Sequence, residues 1–215
     1  MRIGIAGTGN MARVLGARWV RAGHDVLVGG RDPGRAGELA GRIGARAGTL
    51  REAARHGRDA VLLAVPYAAA VGVVSGLGDA VRGRTLIDCT NPVGPGFVLE
   101  TAGGPSAAER IAAAAPGAAV VKGFNLCHES VWGLTPPVFG GRALAVPLCG
   151  EDEVALEAVR GLVRDLGCVP VNGGGLERAG LLEATAAFLI GLWMGEGVDA
   201  QAIAPPLEYA GVDVA

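Results

Sequence analysis

"RIGIAGTGNMARVLGARWV", residues 2–20, decides how the chain folds. It opens on a short apolar run, turns at a glycine cluster, and continues with Met11, Val14, Leu15 and Trp19 at the spacing that puts them on one helical face. Strand, tight turn and helix in that order are the first half of a β-α-β unit. Within "GTGNMA" (residues 7–12) Gly7 makes the tight turn, Gly9 lets the backbone approach a pyrophosphate, and the small Ala12 lets the helix pack close to the sheet. The helix start, with Thr8, Asn10 and Met11 beside it, presents free N–H groups to an anion. In a chain with 37 glycines the pattern alone means little; its position between the first strand and the first helix gives it weight.

The alternation continues outward. "HDVLVGG", "DAVLLAVP", "TLIDCTNP", "AAVVKGF", "RALAVPLCG" and "CVPVNGG" read as strands. "PGRAGELAGRIG", "TLREAARH", "YAAAVGVVSGL", "SAAERIAAAAP" and residues 152–166 read as helices, the last with Asp152 as N-cap and Glu153 in its first turn. Short apolar strands separated by helices require crossovers and parallel pairing, hence an α/β, doubly wound parallel (Rossmann) sheet over residues 1–173. After "NGGG" (172–175) the strands stop, and residues 177–194 predict one long apolar helix. It lies in a short helical C-terminal segment, 174–215, expected to supply the substrate pocket and a dimer contact. So apolar a helix needs a partner surface; a second copy, giving a homodimer, is the expectation, and its own sheet is the alternative.

Composition narrows the class. The 215 residues are half hydrophobic and 19% charged with net charge −2, which fits a globular domain with a substantial core. A pI near 5.9 without a basic cluster argues against nucleic acid or an anionic membrane as partner. The stretch "LLEATAAFLIGLWMG" (181–195) carries Glu183 and, at about 15 residues, is too short to span a bilayer. The N-terminus lacks a secretion signal, and Cys89, Cys127, Cys149 and Cys168 have no paired spacing, so no metal site is expected and a cytoplasmic setting is.

The cofactor is read from "VLVGGRDPGR" (26–35). The tip of the second strand lies beside the adenosine ribose, where an acid accepts bonds from both hydroxyls in enzymes preferring NAD. Here stand Gly29, Gly30 and Arg31, with Arg35 four residues on and Thr8 in the first turn. A carboxylate would repel a 2′-phosphate, whereas a guanidinium clamps it with paired charge-assisted bonds. Asp32, before Pro33, reads as a helix N-cap and not as the missing acid. The expected cofactor is NADP(H).

These motifs, with "AVPYAA", "DCTNPVGPG", "VVKGFN", "PVFGGRALAVPLCGED" and "LLEATAAFLIGLWMGEG", resemble the NADPH-dependent oxidoreductase family typified by coenzyme F420:NADP oxidoreductases, in order and over nearly the whole chain. The resemblance implies a homodimer that moves a hydride between NADP(H) and a deazaflavin, coenzyme F420, laid against the nicotinamide. Carried over residue by residue, it gives Thr8, Gly30, Arg31 and Arg35 the 2′-phosphate. It gives Val65, Pro66 and Tyr67 the loop over the dinucleotide, and Asn91, Pro92 and Val93 with Phe124, Asn125, Leu126, Cys127 and His128 the loops around the nicotinamide and substrate.

The segment "LCHES" (126–130) departs from the family. His128 reads either as a proton donor to a reduced imine or enone or as a cap of the following helix, and Cys127 as a small buried hydrophobe or a thiolate. Lys122 reads as a partner of phosphate or of a carboxylate, and His24 and His56 as turn residues. Trp132, Trp193 and Met194 are candidates for the pocket wall, Trp132 alternatively for the core. Two other functions stay open: an NADPH-dependent reductase of a small C=N or C=C substrate, since imine reductases resemble the same turn, and an NADPH-binding sensor without chemistry.

Overall fold

The computed structural model describes residues 1–198, so residues 199–215 of the expected C-terminal segment lie outside the described residues. Among the described residues, ten strands and seven α-helices follow in chain order: β1 (Arg2–Ala6), α1 (Asn10–Arg21), β2 (Asp25–Gly30), α2 (Pro33–Ile43), β3 (Arg46–Thr49), α3 (Leu50–His56), β4 (Ala60–Leu63), α4 (Tyr67–Leu77), β5 (Thr85–Asp88), α5 (Ala107–Ala114), β6 (Ala119–Lys122), the hairpin β7 (Val138–Phe139) and β8 (Arg142–Ala143), β9 (Ala145–Gly150), α6 (Glu153–Arg164), β10 (Val169–Gly174) and α7 (Ala179–Gly191). Eight strands form one sheet in the order β10-β9-β6-β5-β4-β1-β2-β3. The order reverses at β1, and the turn after β1 therefore opens into the crevice where ligands bind in such sheets.

Helix layers cover both faces because successive side chains of each strand point to opposite sides. Leu62 of β4 enters the layer with Leu15, Trp19 and Leu156, while its neighbours Val61 and Leu63 enter the layer with Ala70, Val74 and Ile111. The local signals act as the residues suggest. Asp32 accepts from the Gly34 and Arg35 N–H groups and so starts α2, and Asp152 accepts from Ala155 N–H to start α6.

Three features correct the sequence reading. The sheet is mostly parallel: β9 pairs antiparallel with β6, and β10 follows β9 in parallel. Between β6 and β9 the described chain forms only a 3-10 turn (Glu129–Gly133) and the β7–β8 hairpin, and without a crossover helix the next strand can only return antiparallel. β3, "RAGT", escapes the reading because it is a short, mostly exposed edge strand without apolar alternation. The helix expected over 177–194 is a continuous helical run over Leu176–Glu196, long and apolar enough by length and composition to cross a membrane, with 22% of its most apolar stretch buried. It begins with a 3-10 turn and ends in a π turn (Leu192–Glu196).

Candidate active site

α1 starts at the phosphate turn without a side-chain cap, so its first N–H groups are left for a ligand. Gly7 has φ 133°, and a Cβ there would stand 2.0 Å from the Ala64 carbonyl oxygen. Gly9 is the opposite: a Cβ would meet nothing within 4 Å, because that face opens on a cavity of about 510 Å³. A Cβ on Gly30 would meet Thr8 Cγ2 at 2.9 Å, so the bare end of β2 leaves room for the Thr8 side chain.

Gly7, Thr8, Gly9, Asn10, Gly30, Arg31, Arg35, Val65 and Pro66 all line this first cavity. Three charged residues not foreseen join them: Arg13 on α1, and Glu38 and Arg42 on α2. Their signal was helical spacing, since Glu38 and Arg42 stand one and two turns beyond Arg35. Four guanidiniums face one carboxylate, and Glu38 is already paired with Arg42. An uncapped helix start, an open Gly9 and this surplus of cations fit a dinucleotide carrying a 2′-phosphate.

A second cavity, of about 520 Å³, adjoins the first and is mainly apolar. Met11, Asn91, Asn125, Leu126, Cys127, His128, Trp193 and Met194 line it, together with Cys89, Phe124, Glu129, Ala186 and Ile190. Met11 and Asn91, expected on the dinucleotide, thus stand on this second wall. Asn91 and Asn125 fix each other: Asn91 Nδ2 donates to the Asn125 carbonyl at 2.7 Å, and Asn125 Nδ2 donates to Asn91 Oδ1 at 3.0 Å and to the Leu182 carbonyl at 3.2 Å. Phe124 turns the chain there with φ 61°, packed edge-on to Trp19 and Trp132 at 6.0 and 5.4 Å. Trp193 and Met194 reach the cavity from the π turn, where Gly191 and Gly195 lie against Phe97.

Four expected site residues lie elsewhere. Trp132 is 2% exposed and belongs to the core, where Phe124 separates it from the cavity. Tyr67 begins α4 and accepts a bond from Arg110 Nη1 at 3.2 Å, away from both cavity walls. Pro92 accepts from Glu100 N–H at 2.8 Å and Val93 pairs with Leu99, so both brace their own loop. His128 lines the cavity and is also the cap: its Nδ1 accepts from Ser130 N–H.

Lys122, fully buried, resolves into a carboxylate partner. Its Nζ lies 2.9 Å from Asp88 Oδ2, 2.9 Å from Glu183 Oε1 and 2.6 Å from the Thr90 carbonyl. Burial alone would lower its pKa, but Asp88 and Glu183 outweigh burial and hold the ammonium above its ordinary range. Glu183 also accepts from the Ala107 and Ala108 N–H groups at the start of α5. One carboxylate therefore docks α7 on both β6 and α5. Burial lifts the Cys127 thiol to about 11, with Cys168 adding to it; burial and Asp88 lift Cys89 to about 12 against Lys122. Both are thiols at neutral pH.

Known proteins resemble this chain. The family described as "NADP oxidoreductase coenzyme F420-dependent" matches residues 2–92. The F420-dependent NADP reductase of Methanothermobacter thermautotrophicus is 31% identical over 207 residues, covering 87% of this chain and 87% of that protein. Metalloreductase STEAP3 of Rattus norvegicus is also 31% identical, over 89% of this chain but 38% of its own length, so the chain spans under two-fifths of that relative. Among solved structures, one from Arthrobacter sp. FB24, provisionally described as an F420-dependent NADP-reductase, superposes with TM-score 0.82 at 24% identity over 92% of this chain and 96% of that one, which shows a shared fold. By the near full-length match to the methanogen enzyme, the chain belongs to the coenzyme F420-dependent NADP oxidoreductase family.

Proposed function

We propose that this NADP-dependent oxidoreductase binds NADP(H) in the first cavity and exchanges a hydride with coenzyme F420 in the second. The junction of the cavities carries the reading: Asn10 walls the first and Met11 the second, so a ligand with its phosphates at the turn ends beside a mainly apolar space. Thr8, Gly30, Arg31 and Arg35 hold the 2′-phosphate, and the glycine turn receives the pyrophosphate. The bound dinucleotide supplies the hydride and its two electrons. The protein's part is alignment and exclusion of water: Asn91 and Asn125 give a fixed amide edge, and Met11, Ile190 and Trp193 the apolar wall.

His128 on that wall favours a second reading, a small C=N or C=C acceptor that takes up a proton with the hydride. NADPH absorbance followed with F420, a free flavin and a cyclic imine in turn separates the possibilities. F420-dependent oxidation supports the first reading, oxidation with the imine alone replaces it, and binding without turnover makes the protein a sensor. The reading extends to a cytoplasmic homodimer. Leu181 and Phe188 on α7 are 56% and 59% exposed, an apolar face suited to a second copy, and light scattering of the full chain reads the mass.

A further inference from the structure

His128 and Glu129 line the second cavity and not the one around the glycine turn. Glu129 accepts from Asn10 Nδ2 at 2.9 Å through Oε1, while its Oε2 lies 2.9 Å from His128 Nε2. The other ring nitrogen, Nδ1, lies 2.9 Å from Ser130 Oγ. Both edges of an imidazole whose side chain is 67% exposed are thus fixed, one by its own turn and the other by Glu129. Asn10 is the first residue of α1 and lines the phosphate cavity; Glu129 and His128 line the acceptor cavity. A single carboxylate spans the two.

We propose that Glu129 is a positioning residue through which an anion on the phosphate turn orients His128 at the acceptor wall. The inference rests on reading the first cavity as the NADP(H) site. A phosphate at the turn competes with Glu129 for the Asn10 amide. Once Asn10 turns to the phosphate, the carboxylate loses one donor, and its remaining bond, to His128 Nε2, strengthens. His128 is then held most firmly when the dinucleotide is in place.

The test uses adenosine 2′,5′-bisphosphate, which carries the phosphates but no nicotinamide and so cannot touch His128 directly. With 3 histidines in the chain, ¹⁵N spectra of the imidazoles separate readily. His24 and His56 are internal references, the first tied to Met1 and Asp165, the second to Arg46 and Asp25. As calorimetry shows the bisphosphate saturating, the His128 ring signals should move and the other two stay. Glu129→Ala should abolish that response while still binding the bisphosphate, and Asn10→Ala should abolish it even at bisphosphate concentrations raised to saturation; Glu129→Gln, whose one amide oxygen cannot accept from Asn10 and from His128 Nε2–H together, should weaken it. A His128 that stays still at saturation, or moves equally in Glu129→Ala, overturns the proposal alone. Failure of the bisphosphate to bind would bring down the NADP(H) reading and this inference with it.

Discussion

The two cavities sit side by side at the same edge of one sheet yet are built from different materials. The first is made of backbone and cations: a glycine turn, an uncapped helix start and guanidiniums from α1, α2 and the loop before α2. The second is made of side chains from distant parts of the chain, Met11, Asn91, Leu126 and Trp193 among them, meeting through tertiary packing. The first depends on local conformation; the second depends on α7 being docked correctly.

Glu183→Ala should break that contrast most severely. It leaves Lys122 one carboxylate short and strands the Ala107 and Ala108 N–H groups, and breaking a buried charge cluster costs about 3–5 kcal/mol. Urea denaturation should show the loss, and acceptor binding should fall while the folded fraction still binds NADPH. Because the Lys122 pKa is raised above 10.5, the stability from its charge is complete below that pH and is lost only as pH rises through the higher folded value. Stability measured between pH 6 and 9 should therefore show no step from this group.

Arg31→Ala strikes the other cavity. It should weaken NADPH by about 2–3 kcal/mol, one lost charge-assisted contact pair, and leave NADH nearly unchanged. Equal losses for both cofactors would show that Arg31 does not meet the 2′-phosphate. Trp193→Ala should do the converse. Trp193 is 38% exposed on the acceptor wall, so its truncation should raise the acceptor KM by about 1–2 kcal/mol in apparent binding, with NADPH affinity unmoved.

The difference in materials also explains what could be read in advance. Gly7, Gly30, Asp32 and Arg31 act through φ angles, caps and charge within a few residues, and such signals are present in the sequence as written. Apart from β3 and the β7–β8 hairpin, the order of helices and strands was legible for the same reason. Trp132 was not: nothing in "SVWG" tells that Phe124, bent into the left-handed region, takes the cavity side and leaves the tryptophan in the core. Nor was the antiparallel β9, which depends on a missing crossover helix, or Glu129, whose partner Asn10 is 119 residues away. Lys122 was ambiguous between phosphate and carboxylate because only tertiary packing brings Glu183 of α7 to it.

The smallest effect should come from the thiol that lines the acceptor cavity. Cys127 stands beside His128, an arrangement that in sequence suggests a nucleophile. Burial lifts its pKa to about 11, however, so the neutral thiol prevails and the residue acts as a small apolar wall. A thiolate fraction lowered by about two pKa units relative to an open cysteine should slow iodoacetamide roughly 100-fold at pH 8, with the rate rising about tenfold per pH unit toward 11. Mass spectrometry of the alkylated protein should find none of the four thiols modified early, since Cys149 and Cys168 are buried and burial lifts Cys127 and Cys89. Cys127→Ala, which keeps a small apolar group at the wall, should change kcat/KM for the acceptor by less than about threefold, the effect of under 1 kcal/mol of lost apolar contact. A loss of 100-fold or more would mean that the second cavity, like the first, holds a charge that the chemistry uses.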